Sequence, residues 1–348
     1  MPRIFNTIRQ SLLAQGRITR YLTYAVGEIL LVVIGILIAV NINDWNADRK
    51  QQREIQQLLT VFEKDLAANI KECTWTLEWV TTRDSICEVI MQGKATRDMY
   101  ETKSLRPMFT NYKMISVNKE NLDRLLAKEE LMGPGLEPLL QQLKNYKDLI
   151  TQEAITAERF RTYVYDQNLY LTDNATWYSA YRDSSSVEGI DYFLNDPIYR
   201  NKTHFYQTLM THNFGRAVAS RRNTELALYH KLKELLGITS KEELRTEFQQ
   251  LGFAPSEALQ CDTEVDLQDH RTKGFAPFIL NTGQDTLQVM IRSKQGRTAR
   301  TDSTLIPPGG HLVASSYLKQ HFDISRNGRC IGRFLPDAKG YAILGNTE

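Results

Sequence analysis

The sequence predicts a mainly α-helical protein. A single N-terminal transmembrane helix continues into an extracytoplasmic helical bundle, and a small C-terminal antiparallel β-sandwich or barrel-like domain follows. Three observations predict this. An apolar run between Tyr21 and Trp45 has the length of a membrane span. Apolar residues then recur at spacings of three and four through most of the middle of the chain. After Gly252 that periodicity gives way to short alternating segments separated by Asn, Gly and Pro turns.

The bulk numbers bound the answer. A chain of 348 residues accommodates two or three modest domains. With 42% hydrophobic and 24% charged residues it has the composition of a folded protein. A formal net charge of +2 gives no basic field of the kind a general nucleic-acid binder needs. The cysteines (Cys73, Cys87, Cys261, Cys330) lie far apart, with no CxxC and no His at metal-site spacing, so zinc ribbons, thioredoxin motifs and haem attachment are unsupported. Cys73 and Cys87 sit too far apart on one helix to bridge. Cys261 and Cys330 are able to pair if their domain is extracytoplasmic.

Residues 1–20 form a basic head. Ile4, Phe5, Ile8, Leu12 and Leu13 recur near helical spacing opposite Arg3, Arg9 and Gln10, which suits a short helix on an anionic inner leaflet. Residues 21–43 are the span. No polar side chain interrupts Ile29 to Val40, and Tyr21, Tyr24 and Trp45 stand where interfacial aromatic rings belong. Val40-Asn41-Ile42-Asn43 offers no small-x-small cleavage site, so an uncleaved anchor is expected rather than a signal peptide. Arg3, Arg9, Arg17 and Arg20 precede the span without an acid, which favours an N-terminus inside and a main domain outside. Inside the span, Tyr24, Glu28, Gly35, Ala39 and Asn43 share one stripe. Gly35 and Ala39 form a small-xxx-small pair, so Glu28, Gly35, Ala39 and Asn43 are candidates for self-association of two copies. The alternative is that Glu28 simply snorkels to the headgroups.

The string AVGEILLVVIGILIAVNINDWNADRK resembles the opening hallmark of an uncharacterised family of bacterial membrane proteins, known only as a domain of unknown function. Members typically show a short basic head, a YxxGEIxLVVIGILIAxxINxWNxxRK-like segment, then a long charged helix. EIQQLLTVFEKDLAANI fits that continuation. The resemblance implies a membrane-anchored protein without known catalysis and carries over no active-site residues.

Residues 44–252 are expected to be the bundle. Ile55, Leu58, Phe62, Leu66, Ile70, Cys73, Leu77 and Val80 trace one stripe of a long first helix, kinked near Thr81-Thr82, that widens toward Trp75, Trp79 and Ile86. Asn118 is the expected N-cap of NKENLDRLLAKEELM, which GPG stops at 133–135. Two further long helices start near Leu136 and Thr203, and KEELRTEFQQLG makes a short last one. Between them lies a polar, aromatic-rich break. Its Tyr163, Tyr170, Trp177, Tyr181 and Tyr192 are candidates for a ligand or partner surface, or equally for sealing a long excursion against the bundle. Interleaved Lys, Arg and carboxylates, Arg221-Arg222 included, read as solvated helix faces.

A polar linker over 253–273 is expected to lead to the β domain at 274–348. There, Leu287, Val289 and Ile291 alternate, NTG and KQGR mark turns, and LIPPGG is a rigid turn. No GxSxG, Walker A loop, GxGxxG or HExxH is present, and nothing calls for a cofactor. His204 with His212, or His311 with His321, are weak candidates for a shared metal. The favoured function is a membrane-anchored, non-enzymatic scaffold. Its partners would be the lipid bilayer, an unidentified protein and a second copy through the span, with no nucleic acid. An extracytoplasmic ligand sensor, or a hydrolase with a non-standard site, are the alternatives.

Overall fold

The computed structural model describes residues 18–105, 108–183, 186–238, 240–295, 298–313 and 317–346. The basic head, up to Arg17, lies outside the described residues. Helix α1 (Ile18–Met91) runs uninterrupted for 74 residues. The chain separates into two compact units, Met1–Leu58 and Leu59–Glu348, and α1 contributes residues to both.

In the first unit, every Leu, Ile and Val from Ile29 to Val40 is 41–74% exposed. Leaving such side chains in water forgoes roughly 1.5–3 kcal/mol apiece, and the described residues supply this stretch with no apolar cover. By length and composition α1 is able to cross a membrane.

In the second unit, Phe62, Leu66, Ile70, Cys73, Leu77 and Val80 are fully buried along one face of α1, as their spacing predicts. Trp79 and Ile86 pack against the same core. Trp75 does not: it is 66% exposed, because it falls outside the stripe that meets the other helices. At Thr81 the helix continues, and the Thr81 hydroxyl donates to Leu77 O at 2.9 Å beside the backbone ladder. Gly93 ends α1 in the left-handed region (φ +67°), which lets the Lys94 N–H donate to Val89 O at 3.0 Å.

Then follow α2 (Arg97–Glu101), α3 (Glu120–Leu126), α4 (Glu137–Asn174), α5 (Tyr178–Asp183), α6 (Val187–Asn195) and α7 (Pro197–Thr208). A π-helical stretch, Leu209–Gly215, leads directly into α8 (Arg216–Leu235), and α9 is Lys241–Gln250. α3 is shorter than expected and Asn118 does not cap it. Instead the Asn118 N–H donates to Asn69 Oδ1 (2.9 Å) and its carbonyl accepts from Asn69 Nδ2 (3.0 Å), tying this segment to α1. The expected loop is largely helical. Tyr163 and Tyr170 lie within α4, and the short α5 and α6 fold back toward α2 and α4. α4 packs along α8, with Phe160, Val164, Phe214 and Val218 in one core.

The C-terminal part contains β1 (Ala254–Pro255), β2 (Lys273–Gly274), β3 (Phe278–Asn281), β4 (Leu287–Gln295), β5 (Thr298–Ile306), β6 (Leu318–Arg326), β7 (Arg329–Phe334) and β8 (Gly340–Leu344). One sheet runs β2-β6-β4-β5 with β7 also on β6, and all its pairs are antiparallel. Leu287 and Val289 are fully buried, as the alternation predicts. The second, smaller sheet, β1-β8-β3, is parallel rather than antiparallel, because β8 returns from the far end of the domain to lie between two early strands. The barrel does not close. Ile279, Ala342 and Leu344 of the small sheet share a core with Leu287, Val289, Ile306, Phe322 and Ile324 of the large one.

Gly215 shows how tightly helices and strands meet. A Cβ there would lie 2.9 Å from Phe275 Cζ and 3.0 Å from the Met210 carbonyl oxygen. Gly215→Ala should therefore lower unfolding stability by about 1–3 kcal/mol, read from the urea midpoint, despite alanine's better helix propensity. An unchanged or higher midpoint would show that this junction has room to spare.

Candidate functional site

The aromatic candidates separate into two groups. Trp177, between α4 and α5, holds Tyr181 of α5 and Tyr192 of α6 around itself, with ring centroids 6.4 and 5.2 Å away, and Phe193 stands at 5.6 Å. Gly189 permits this, since a Cβ there would meet both Trp177 and Tyr181 at 2.9 Å. Tyr163 lies against Phe205 (5.1 Å) and its hydroxyl donates to Lys202 O at 3.0 Å. Tyr170 is exposed on α4, and the Lys202 ammonium sits 3.5 Å from its ring centroid. Burial pushes the Tyr163 and Tyr192 phenols up to about 12, so both stay protonated at neutral pH. Four of the five rings thus pack against the core, and the fifth carries a cation from the same chain.

The densest polar chemistry lies elsewhere, at a place the sequence reading assigned to solvent. Arg221 and Arg222 are both fully buried, a correction to the expected solvated face. Helix α8 is covered on both sides, so its polar residues had to find partners inside. Arg221 Nε lies 2.6 Å from Glu153 Oε2 of α4 and 3.6 Å from Glu225 Oε1, one turn along α8. The first is a close ion pair rather than an aligned hydrogen bond, and Arg221 Nη1 donates to nothing among the described residues. Arg221 Nη2 donates to Cys73 Sγ of α1 at 2.9 Å. Tyr146 of α4 donates to Glu225 Oε1 at 2.6 Å, the Cys73 thiol donates to Glu225 Oε2 at 3.4 Å, and Asn69 Nδ2 donates to the Tyr146 hydroxyl at 3.2 Å.

Two carboxylates and one guanidinium therefore share a sealed interior. Burial raises the Glu153 carboxyl to about 7 against the opposing pull of Arg221, and burial raises Glu225 as well. Burial also lifts the Cys73 thiol, so it is a protonated donor and not a nucleophile. With these groups sealed from solvent, the cluster's chemistry is to fix three helices in register, not to meet a substrate.

A second charged junction lies beside the π-helical stretch. Asp84 accepts from Gln207 Nε2 at 2.8 Å and from Lys273 Nζ, which also donates to Glu88 Oε1 at 2.6 Å. Burial lowers His212 beside this group. His204 and His212 meet no third ligand, and the described residues contain no cluster of three or more His, Cys, Asp or Glu that could hold a metal. His311 bridges to Leu280 while His321 lies beside Asp323, and none of the described residues joins the two. On the surface, exposed Trp75 lines a cleft of about 370 Å³ with Lys71, Glu72, Glu78, Leu251 and Lys339.

In the Met1–Leu58 unit, Glu28, Gly35, Ala39 and Asn43 all lie on α1, and nothing stands within 4 Å of where a Gly35 Cβ would be. Among the described residues, none covers this stripe at Gly35. Residues 28–91 match a family of unknown function, DUF6090. The match begins at Glu28 and ends with the last residue of α1, so the DUF6090 stretch joins the apolar segment to the first helix of the bundle. This agrees with the resemblance carried by the AVGEILLVVIGILIAVNINDWNADRK wording. No curated protein and no solved structure matches the chain.

The Glu153 shift has a testable sign. Its folded-state value lies above the ordinary carboxylate value, so the folded state holds the extra proton between pH 4.5 and about 7. Stability from this group is therefore complete below pH 4.5 and declines as pH rises through 7. Glu153→Gln should match the parent near pH 4.5 and exceed it in urea midpoint above pH 7. A variant that trails the parent at every pH would show that the ionised carboxylate is the stabilising form.

Proposed function

We propose that this protein is a single-span, membrane-anchored, non-enzymatic scaffold that presents the Leu59–Glu348 unit outside the inner membrane of a bacterium, with its N-terminus in the cytoplasm. The observation that carries the anchor is the uncovered apolar stretch of α1 from Ile29 to Val40. Cys261 and Cys330 support the side of the membrane. They are disulfide-bonded, with Cα atoms 6.2 Å apart, and such bonds persist in oxidising compartments.

The disulfide closes a chain separation of 69 residues, and on the chain-entropy account that constrains the unfolded state by about 4 kcal/mol. It staples the segment around Leu259, which also pairs with Arg333 in both directions (2.8 and 3.0 Å), onto the large sheet. Cys73 and Cys87 remain as buried free thiols. The scaffold reading draws on the same pattern. The buried titratable groups described above serve packing, whereas the solvent-facing features of the described residues include the Trp75 cleft and the outer edge of β5, which suit contact with a macromolecule.

The test is topology combined with thiol state. In intact cells, a reporter fused after Glu348 should be active only in its extracytoplasmic form. Protein denatured without reductant should expose two alkylatable thiols, rising to four after reduction. Extraction by alkaline carbonate, a cytoplasmic C-terminus, or four thiols before reduction would contradict the anchor, the orientation or the compartment respectively.

A further inference from the structure

We propose that β5 is a dimerisation edge, through which two copies of this chain pair antiparallel about a two-fold axis at Thr301 and join their large sheets into one. The large sheet ends at β5, which bonds to β4 along its whole length from Thr298 to Ile306. Among the described residues no strand pairs with its outer side, so a row of N–H and C=O groups stands open. The chain treats its other long edges differently. The outer side of β3 is closed by His311 against Leu280 and by the Leu312 N–H donating to Ile279 O, and the outer side of β7 is closed by Leu259 against Arg333. β5 is left bare from Ala299 to Ser303, and only its far end is engaged, where the Ile306 carbonyl accepts from Asn281 Nδ2 at 2.9 Å.

The side chains decide which partner fits. Ala299 to Ser303 are exposed on both faces of the strand, so none of the described residues overhangs this edge. Arg300 and Asp302 are two apart, hence on one face, and neither side chain takes part in an ion pair or hydrogen bond among the described residues. Charges on an edge strand ordinarily keep other strands away. Here their order admits one partner. In an antiparallel pair centred on Thr301, Arg300 of each copy lies directly opposite Asp302 of the other, on the same face, which gives two opposite-charge cross-strand pairs. Centring the pair on Asp302 or on Arg300 instead sets like charges against each other. The edge is therefore self-complementary in a single register. This surface is separate from the Gly35–Ala39 stripe and does not rest on the membrane reading.

The test uses the full-length chain in detergent micelles. At the axis two copies of residue 301 have Cα atoms about 4.5–5.5 Å apart, within reach of a disulfide. The parent's own thiols are buried or already bonded. Thr301→Cys should give a covalent dimer on mild oxidation. Adding Arg300→Asp or Asp302→Arg singly should cut the cross-linked fraction by about fivefold or more, and the double reversal should restore it. All are exposed positions, and unchanged thermal melting verifies that each variant folds. The proposal is overturned by failure of Thr301→Cys to cross-link, whether the edge stays bare or binds another protein. Cross-linking that ignores the single reversals overturns it too, since copies held together through the span alone would behave that way.

Discussion

Arg221 and Arg222 are neighbours in the chain, yet they serve two different interiors. Arg221 gathers Glu153 of α4, Glu225 of α8 and Cys73 of α1. Arg222 reaches the β part. Its Nη1 donates to Ala338 O at 2.5 Å and its Nη2 to Ala276 O at 3.2 Å, while the adjacent Asn223 Nδ2 donates to Leu312 O at 3.3 Å. Helix α8 thus ties the bundle to the β part, alongside α1, whose Asp84 and Glu88 hold Lys273. A buried ion group is not automatically stabilising, because desolvation opposes the attraction. What it does impose is registry, since any sliding of α1 or α4 along α8 strands a charge in a low dielectric.

The surrounding apolar core works differently, through area and close fit. Phe160, Phe214, Val218 and Leu77 supply non-directional contact area, whereas Tyr146, Asn69 and Glu225 form a chain of hydrogen bonds whose directions must be met. The junction with the β part shows the same division of labour. Phe275 packs on Tyr317 at 4.8 Å to supply area, and Lys273, bonded to Asp84 and Glu88, fixes its position.

The large elements were legible because they follow simple periodicities. The uninterrupted apolar run, the three-and-four stripe from Phe62 to Val80 and the alternation of Leu287 and Val289 each record one environment repeated along an element. The polar interior was not legible, for a physical reason. Arg221 and Glu225 are spaced as an ordinary i, i+4 surface pair, and only the position of α4 and α1 across from them makes the pair internal. Asn118 likewise has the composition of a cap but is held by Asn69, which lies 49 residues earlier. Trp75 fails in the opposite sense, being apolar in type but turned away from the stripe.

The claim that Arg221 organises the helices is tested most directly by a double-mutant cycle in the full-length protein, with Arg221→Met, Glu225→Gln and the pair, each measured by urea unfolding. Coupling through a shared buried cluster predicts that the double variant loses less than the sum of the single losses, by roughly 1–3 kcal/mol. Single losses that add to within about 0.5 kcal/mol would contradict it, since that is the behaviour of independent sites.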